Sequence, residues 1–96
     1  MNLKLMINDE EKTFVTGFVK ARTFREMLSI SKRMDLNDLS AEELDELVQL
    51  TCQVFDFQFS VDEFYDGLPT EEIVPTIVQV FQTINGTTNG EKTEKK

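Results

Sequence analysis

Ser40–Phe59 reads SAEELDELVQLTCQVFDFQF, and the fold follows from how this stretch is read. Ser40 is an N-cap, because its hydroxyl can accept from the free amides of a first helical turn. Glu43, three residues on, can reach back to the Ser40 amide and complete a capping box. Glu42, Glu43, Asp45 and Glu46 load the first turns with negative charge, favourable at the positive end of the helix dipole. Leu44, Leu47, Val48, Thr51, Cys52, Val54 and Phe55 then recur at three- and four-residue spacing. The pattern predicts a helix with one buried face that ends near Phe55 or Asp56. Beyond it the period changes, with Phe57 and Phe59 alternating with polar residues. The buried face of this helix needs a cover from both flanks.

Upstream, Asn2–Asn8 (NLKLMIN) alternates Leu3, Leu5 and Ile7 with Lys4 and Met6, the period of a strand. Asp9-Glu10-Glu11 reads as a polar turn. Lys12–Lys20 (KTFVTGFVK) is rich in β-branched and aromatic residues and reads as a second strand. The pair makes a hairpin, and Gly17 inside its second strand suggests a bulge or a close approach of another backbone. An isolated hairpin is marginal in water, so it must pack on helices or pair along an edge. Thr23 can cap a following helix, with Glu26 at the capping-box position. That helix is expected over about Thr23–Met34, with Phe24, Met27, Leu28, Ser31 and Met34 in one stripe and Ile30 at its margin. Arg25, Lys32 and Arg33 face away. The connection DLNDLS has acidic spacing faintly like a calcium loop. Leu39 at a ligand position and the lack of a Gly or a closing Glu argue against calcium.

Downstream, Ser60 and Glu63 repeat the capping box, and Val61, Phe64, Tyr65 and Leu68 make a short helix stopped by Gly67 and Pro69. The last helix is expected from Thr70, with Glu71 and Glu72 at its positive end. Pro75 then falls in its second turn, where it would remove one amide bond. Ile73, Ile77, Val80, Phe81 and Ile84 form a core stripe. Val74 and Val78 lie outside it and are assigned to a contact surface. Asn85-Gly86 is a C-cap signal. Thr87–Lys96, TTNGEKTEKK, has no apolar residue and is expected to be disordered. The architecture is α+β: an N-terminal hairpin and about four helices in one domain over residues 1–86, then a polar tail over 87–96.

Ninety-six residues with 40% hydrophobic content support one modest core. The lone Cys52 cannot form an intrachain disulfide, and its place on the stripe marks a small buried hydrophobe. No apolar run reaches the roughly 20 residues of a membrane span, and no signal-peptide h-region follows Lys4. The net charge of −8 is unevenly spread. Residues 1–34 hold seven bases against four acids, residues 35–86 hold twelve acids and no base, and residues 87–96 hold three bases against two acids. The acidic block repels nucleic acid. It reads either as a solubilising face or as a docking surface for a basic partner or the basic half of another copy. Glu42, Glu43, Asp45 and Glu46 are its candidate contact residues, beside Val74 and Val78.

Chemistry is scarce. With no His, neither a Ser–His nor a Cys–His pair exists. CxxC, GxxxxGK[ST] and GxGxxG motifs are absent. The carboxylates sit at helix starts, where capping accounts for them, and Asp56, Asp62 and Asp66 read as solvated or capping rather than as a metal cluster. Tyr65 reads as a rim residue. An acyl carrier protein is also small and acidic, but its modified Ser normally stands between Asp and Leu. Here Ser40 precedes Ala41, Ser60 precedes Val61, and a leading hairpin does not fit. Neither a catalytic site nor a cofactor is expected.

The order of a short hairpin, a charged helix around TFREM, the acidic DLSAEELDELVQLTCQVF and then QFSVDEFYDGLPTEEIVPTIVQVF resembles the small tail assembly chaperones of long-tailed phages and prophages of Gram-positive bacteria. The resemblance covers most of residues 1–86. Its strongest part is Phe59–Leu68, which fits the F-x-x-[DE]-[EQ]-[LF]-x-[DE]-G-[LI] pattern that precedes the last helix in that family. The resemblance implies a protein that coats the tape measure protein before tail-tube polymerisation. It implies action in the bacterial host cytoplasm, absence from the mature virion, and in many members a longer form made by ribosomal frameshift. Here such an extension would join at the polar tail. From the residues alone, a holdase needs exposed apolar surface, solubility and no catalytic group, and self-association is expected from the unequal charge of the two halves. The rival reading is a small acidic adaptor or inhibitor that masks a basic partner.

Overall fold

A computed structural model describes residues 1–86. Thr87–Lys96, expected to be disordered, lies outside the described residues. The chain runs β1 (Asn2–Ile7), β2 (Glu10–Val15), α1 (Ala21–Ser31), α2 (Ala41–Val54), α3 (Val61–Gly67), a 3-10 turn (Thr70–Glu72) and α4 (Ile73–Asn85). The α+β arrangement of a leading hairpin and four helices, the third short, is the one expected.

The hairpin is tighter than its sequence suggested. β1 and β2 pair antiparallel with Ile7 opposite Glu10, so only Asn8 and Asp9 form the loop. Both have positive φ, 55° and 66°, the conformation of a two-residue turn whose twist suits the strands. Asn and Asp are the side chains that tolerate this best after Gly. Glu10 and Glu11 therefore belong to β2 and not to a turn. β2 also stops at Val15, short of Gly17, and a Cβ at Gly17 would meet nothing within 4 Å. Gly17 marks neither a bulge nor a close approach. The chain end is pinned to the segment after β2: the Met1 ammonium donates to Thr16 Oγ1 at 3.0 Å, and the Thr16 amide donates to the Met1 carbonyl at 3.0 Å.

The close approach occurs at Gly67 instead. A Cβ there would lie 3.0 Å from Leu5 Cβ and from the Met6 carbonyl oxygen, so a larger residue would have to push α3 and β1 apart by a few tenths of an ångström. Both predicted capping boxes are present. The Glu43 and Glu63 amides donate to Ser40 Oγ and Ser60 Oγ, and the Ser40 and Ser60 amides donate back to the Glu43 and Glu63 carboxylates. Leu3, Leu5, Val48, Cys52, Val54, Phe55, Phe59, Phe64 and Val80 form the core, filled from β1, α2, α3 and α4. Phe59 is its aromatic hub, 5.0 Å from Phe14 edge-on, 5.3 Å from Phe55 and 6.0 Å from Phe64 between ring centres.

Helix α1 departs from its reading. It begins at Ala21, with Lys20 at the N-cap and no side-chain cap. Thr23 is buried in the first turn, and Gln53 of α2 donates from Nε2 to Thr23 Oγ1 at 3.0 Å and to Glu26 Oε1 at 2.6 Å. The Thr23–Glu26 pair thus ties α1 to α2 and caps nothing. The rotated start turns Thr23 and Met27 inward and leaves Phe24 and Leu28 exposed. In α4 the same kind of rotation buries Thr76 with Ile77 and Val80, while Phe81 is only half-buried. The core placement expected of Phe81 fails because the inward stripe is centred on Thr76, Ile77 and Val80, which puts Phe81 at its margin; the 3-10 turn delays the helix to Ile73. That delay also puts Pro75 in the first turn, where its missing amide has no bond to lose. Gly86 ends α4 in the left-handed conformation, φ 75°, as its C-cap signal implied.

Candidate docking surface

Helix α2 ends in a Schellman-type cap without glycine. The Asp56 amide donates to the Gln53 carbonyl at 3.0 Å, and the Phe57 amide donates to the Cys52 carbonyl at 2.8 Å. Asp56 and Phe57 both adopt φ 58°, a conformation that costs about 1–3 kcal/mol for a side chain other than glycine. Its consequence is directional. In a strand, Phe57 and Phe59 would share a face. With Phe57 left-handed, Phe59 enters the core and Phe57 projects into solvent.

The large apolar side chains exposed among the described residues are Met6, Val15, Phe18, Phe24, Leu28, Phe57, Val74 and Val78. Phe18 is 89% exposed and Phe57 is 70% exposed, whereas Val74 and Val78 are 39% and 38% exposed. Phe18 and Phe57 border one depression of about 300 Å³, together with Lys20, Arg22, Thr23, Glu26, Gln53 and Asp56. Val74 and Val78 lie one helical turn apart on α4, away from the inward Ile77 and Val80.

The acidic candidates on α2 are spread among different tasks. The Glu43 carboxylate is held by the Ser40 amide. Asp45 Oδ1 accepts from Tyr65 Oη at 2.6 Å. Glu46 forms an ion pair with Arg33 at 3.1 Å across the α1–α2 groove. Glu42 is exposed in the first turn. Three of the four carboxylates therefore brace the fold already. Phe18, Phe57, Lys20 and Arg22 were not singled out as contact residues from sequence. Their exposure follows from where β2 stops and from the left-handed residues after α2, neither of which periodicity reveals.

Two titratable side chains, Cys52 and Tyr65, are shifted, both away from the ionised, reactive form. Burial, and then the nearby Glu63 charge, push the Cys52 thiol from its ordinary 9.0 up to about 11, so it stays protonated at neutral pH. Burial first and the Asp45 hydrogen bond second raise the Tyr65 phenol as well. Among the described residues, no group of three His, Cys, Asp or Glu side chains is placed to hold a metal ion. No described helix is long and apolar enough to cross a membrane.

A family model described as phage tail chaperone protein matches residues 1–96. No curated protein matches the chain, and no solved structure does. The matched family is one of assembly chaperones and not of enzymes, which agrees with a surface of apolar and charged side chains around a closed core. Matched along its whole length, the chain belongs to the phage tail chaperone protein family.

Proposed function

We propose that this tail chaperone binds the tape measure protein and keeps it soluble until the tail tube polymerises around it. It acts in the bacterial host cytoplasm, is absent from the mature virion, and associates with its own copies and with a frameshifted longer form. The observation that carries this reading is the exposure of Phe18, Phe57, Val74 and Val78 on a protein whose core is complete without them. Large apolar side chains in solvent suit a client that is itself partly apolar. The acidic block, twelve acids and no base over residues 35–86, keeps a loaded complex soluble.

The test is co-expression with the tape measure protein encoded in the same genome. The client should move from the insoluble to the soluble fraction and co-purify with the chaperone. A client that precipitates equally with and without the chaperone would overturn the reading. Self-association is tested separately by sedimentation velocity on the full chain. Species above the monomer should shrink as salt rises, and a monomer at every concentration and salt would exclude it.

A further inference from the structure

Charge in this molecule is segregated by element and scarcely neutralised within it. Every Lys and Arg among residues 1–86 precedes residue 35, yet among the described residues only Arg33 forms an ion pair, with Glu46. Two exposed faces result, of opposite sign, each with an apolar centre. On the first, Phe18 and Phe57 flank a depression lined also by Lys20, Arg22, Glu26 and Asp56, and Arg22 and Arg25 share the adjoining surface of α1 with Glu26, so this face is positive only by its one extra base. On the second, Glu71 and Glu72 end the 3-10 turn, and Val74 and Val78 follow on α4. Glu71, Val74 and Val78 stand at three- and four-residue spacing, so one helical face carries them.

We propose that a second copy of this chain lays its Glu71–Val78 face into the Phe18–Phe57 depression, with carboxylates against Arg22 and Arg25 and valines against the two rings. The proposal rests on the self-association reading and names its contact; a second copy and the client compete for the same four apolar side chains. Charge complementarity selects the occupant. The Glu71–Val78 face set against itself would bring only carboxylates together, which disfavours a two-fold contact through it. Set against each other, the two faces bring Glu71 and Glu72 to the arginines of α1 and the valines to the rings. They belong to different elements, so the contact is head-to-tail, and every added copy leaves one face of each kind open. Such a contact builds chains, or rings where the rotation closes.

Two charge-swapped full-length chains test this. One carries Arg22→Glu and Arg25→Glu, and the other carries Glu71→Arg and Glu72→Arg. All four positions are exposed, so thermal melting should show both variants folded, the Glu71→Arg, Glu72→Arg chain a few degrees lower because it loses two carboxylates at the positive end of α4. Sedimentation should show each variant alone associating roughly tenfold or more weaker than the unchanged chain, since each now opposes like charges. Mixed in equal amounts, the two should recover association, because every contact in an alternating chain again joins opposite signs. If the unchanged chain associates but the swaps leave it unaltered, this contact is wrong and self-association stands. If each swap weakens association but mixing restores nothing, the pairing of these two faces is overturned. If the unchanged chain is monomeric throughout, the contact fails together with the self-association reading.

Discussion

Around Phe59 the chain is packed from β1, β2, α2 and α3: three ring neighbours surround it, and Gly67 lets α3 rest against the β1 backbone. Where α1 meets α4, burial is thinner. Thr23 and Met27 of one helix and Thr76, Ile77 and Val80 of the other face inward, while Phe24, Leu28, Val74 and Val78 stay exposed. The difference separates two uses of apolar residues. In the first region they hold the fold together. In the second, part of them is left in solvent, and the proposed function gives that part to binding. A small chaperone needs both, because a sticky surface without an independent core would collapse on itself.

Substitutions should separate the two regions, starting with the largest effect. Phe64 is fully buried in the core and stacked on Phe59. Phe64→Ala should cost about 3–5 kcal/mol, a large share of the roughly 5–15 kcal/mol that keeps a domain folded. Urea unfolding measures it, and a loss below 1 kcal/mol would mean that the packed region is not the one that holds the fold. Gly67→Ala comes next. Alanine favours the helix by up to about 1 kcal/mol, but its methyl would press on the Met6 backbone, which cannot turn aside as a side chain can. A net loss of about 1–3 kcal/mol is expected. A stabilised variant would show that α3 can lift from β1 at little cost. Ser40→Ala removes one capping bond of α2 and should cost about 1 kcal/mol, read in the same unfolding experiment. Leu28→Ser lies in the second region, and unfolding should show a change within about 0.5 kcal/mol.

The legible parts of this fold are those with local causes. The two Ser-x-x-Glu boxes, the stripe of α2, the alternation of β1 and the Gly86 stop each act within a turn or two, and the structure has all of them. The misread parts depend on partners far away in the chain. Thr23 and Glu26 satisfy the local rule for a cap, yet Gln53, some thirty residues on, takes both side chains. Gly17 and Gly67 look alike in sequence, and only the packing of α3 on β1 crowds one of them. Phe57 and Phe59 alternate like strand residues, and the left-handed turn after α2 sends them opposite ways. Of the proposed contact residues, Val74 and Val78 could be marked because they fall outside a helical stripe. Phe18 could not, because its exposure depends on β2 ending at Val15.

The central claim is that the apolar residues left outside the core work on a client, and Val78→Asp tests it most directly. The side chain is already over a third exposed, on the outer face of α4, so the variant should melt within a few degrees of the unchanged chain, a shift of about 1 kcal/mol or less. Co-expressed with the tape measure protein, the folded variant should leave clearly more of the client insoluble than the unchanged chaperone does. A folded Val78→Asp chain that solubilises the client as well as the unchanged chain would contradict the claim, and so would a variant that unfolds as badly as Phe64→Ala.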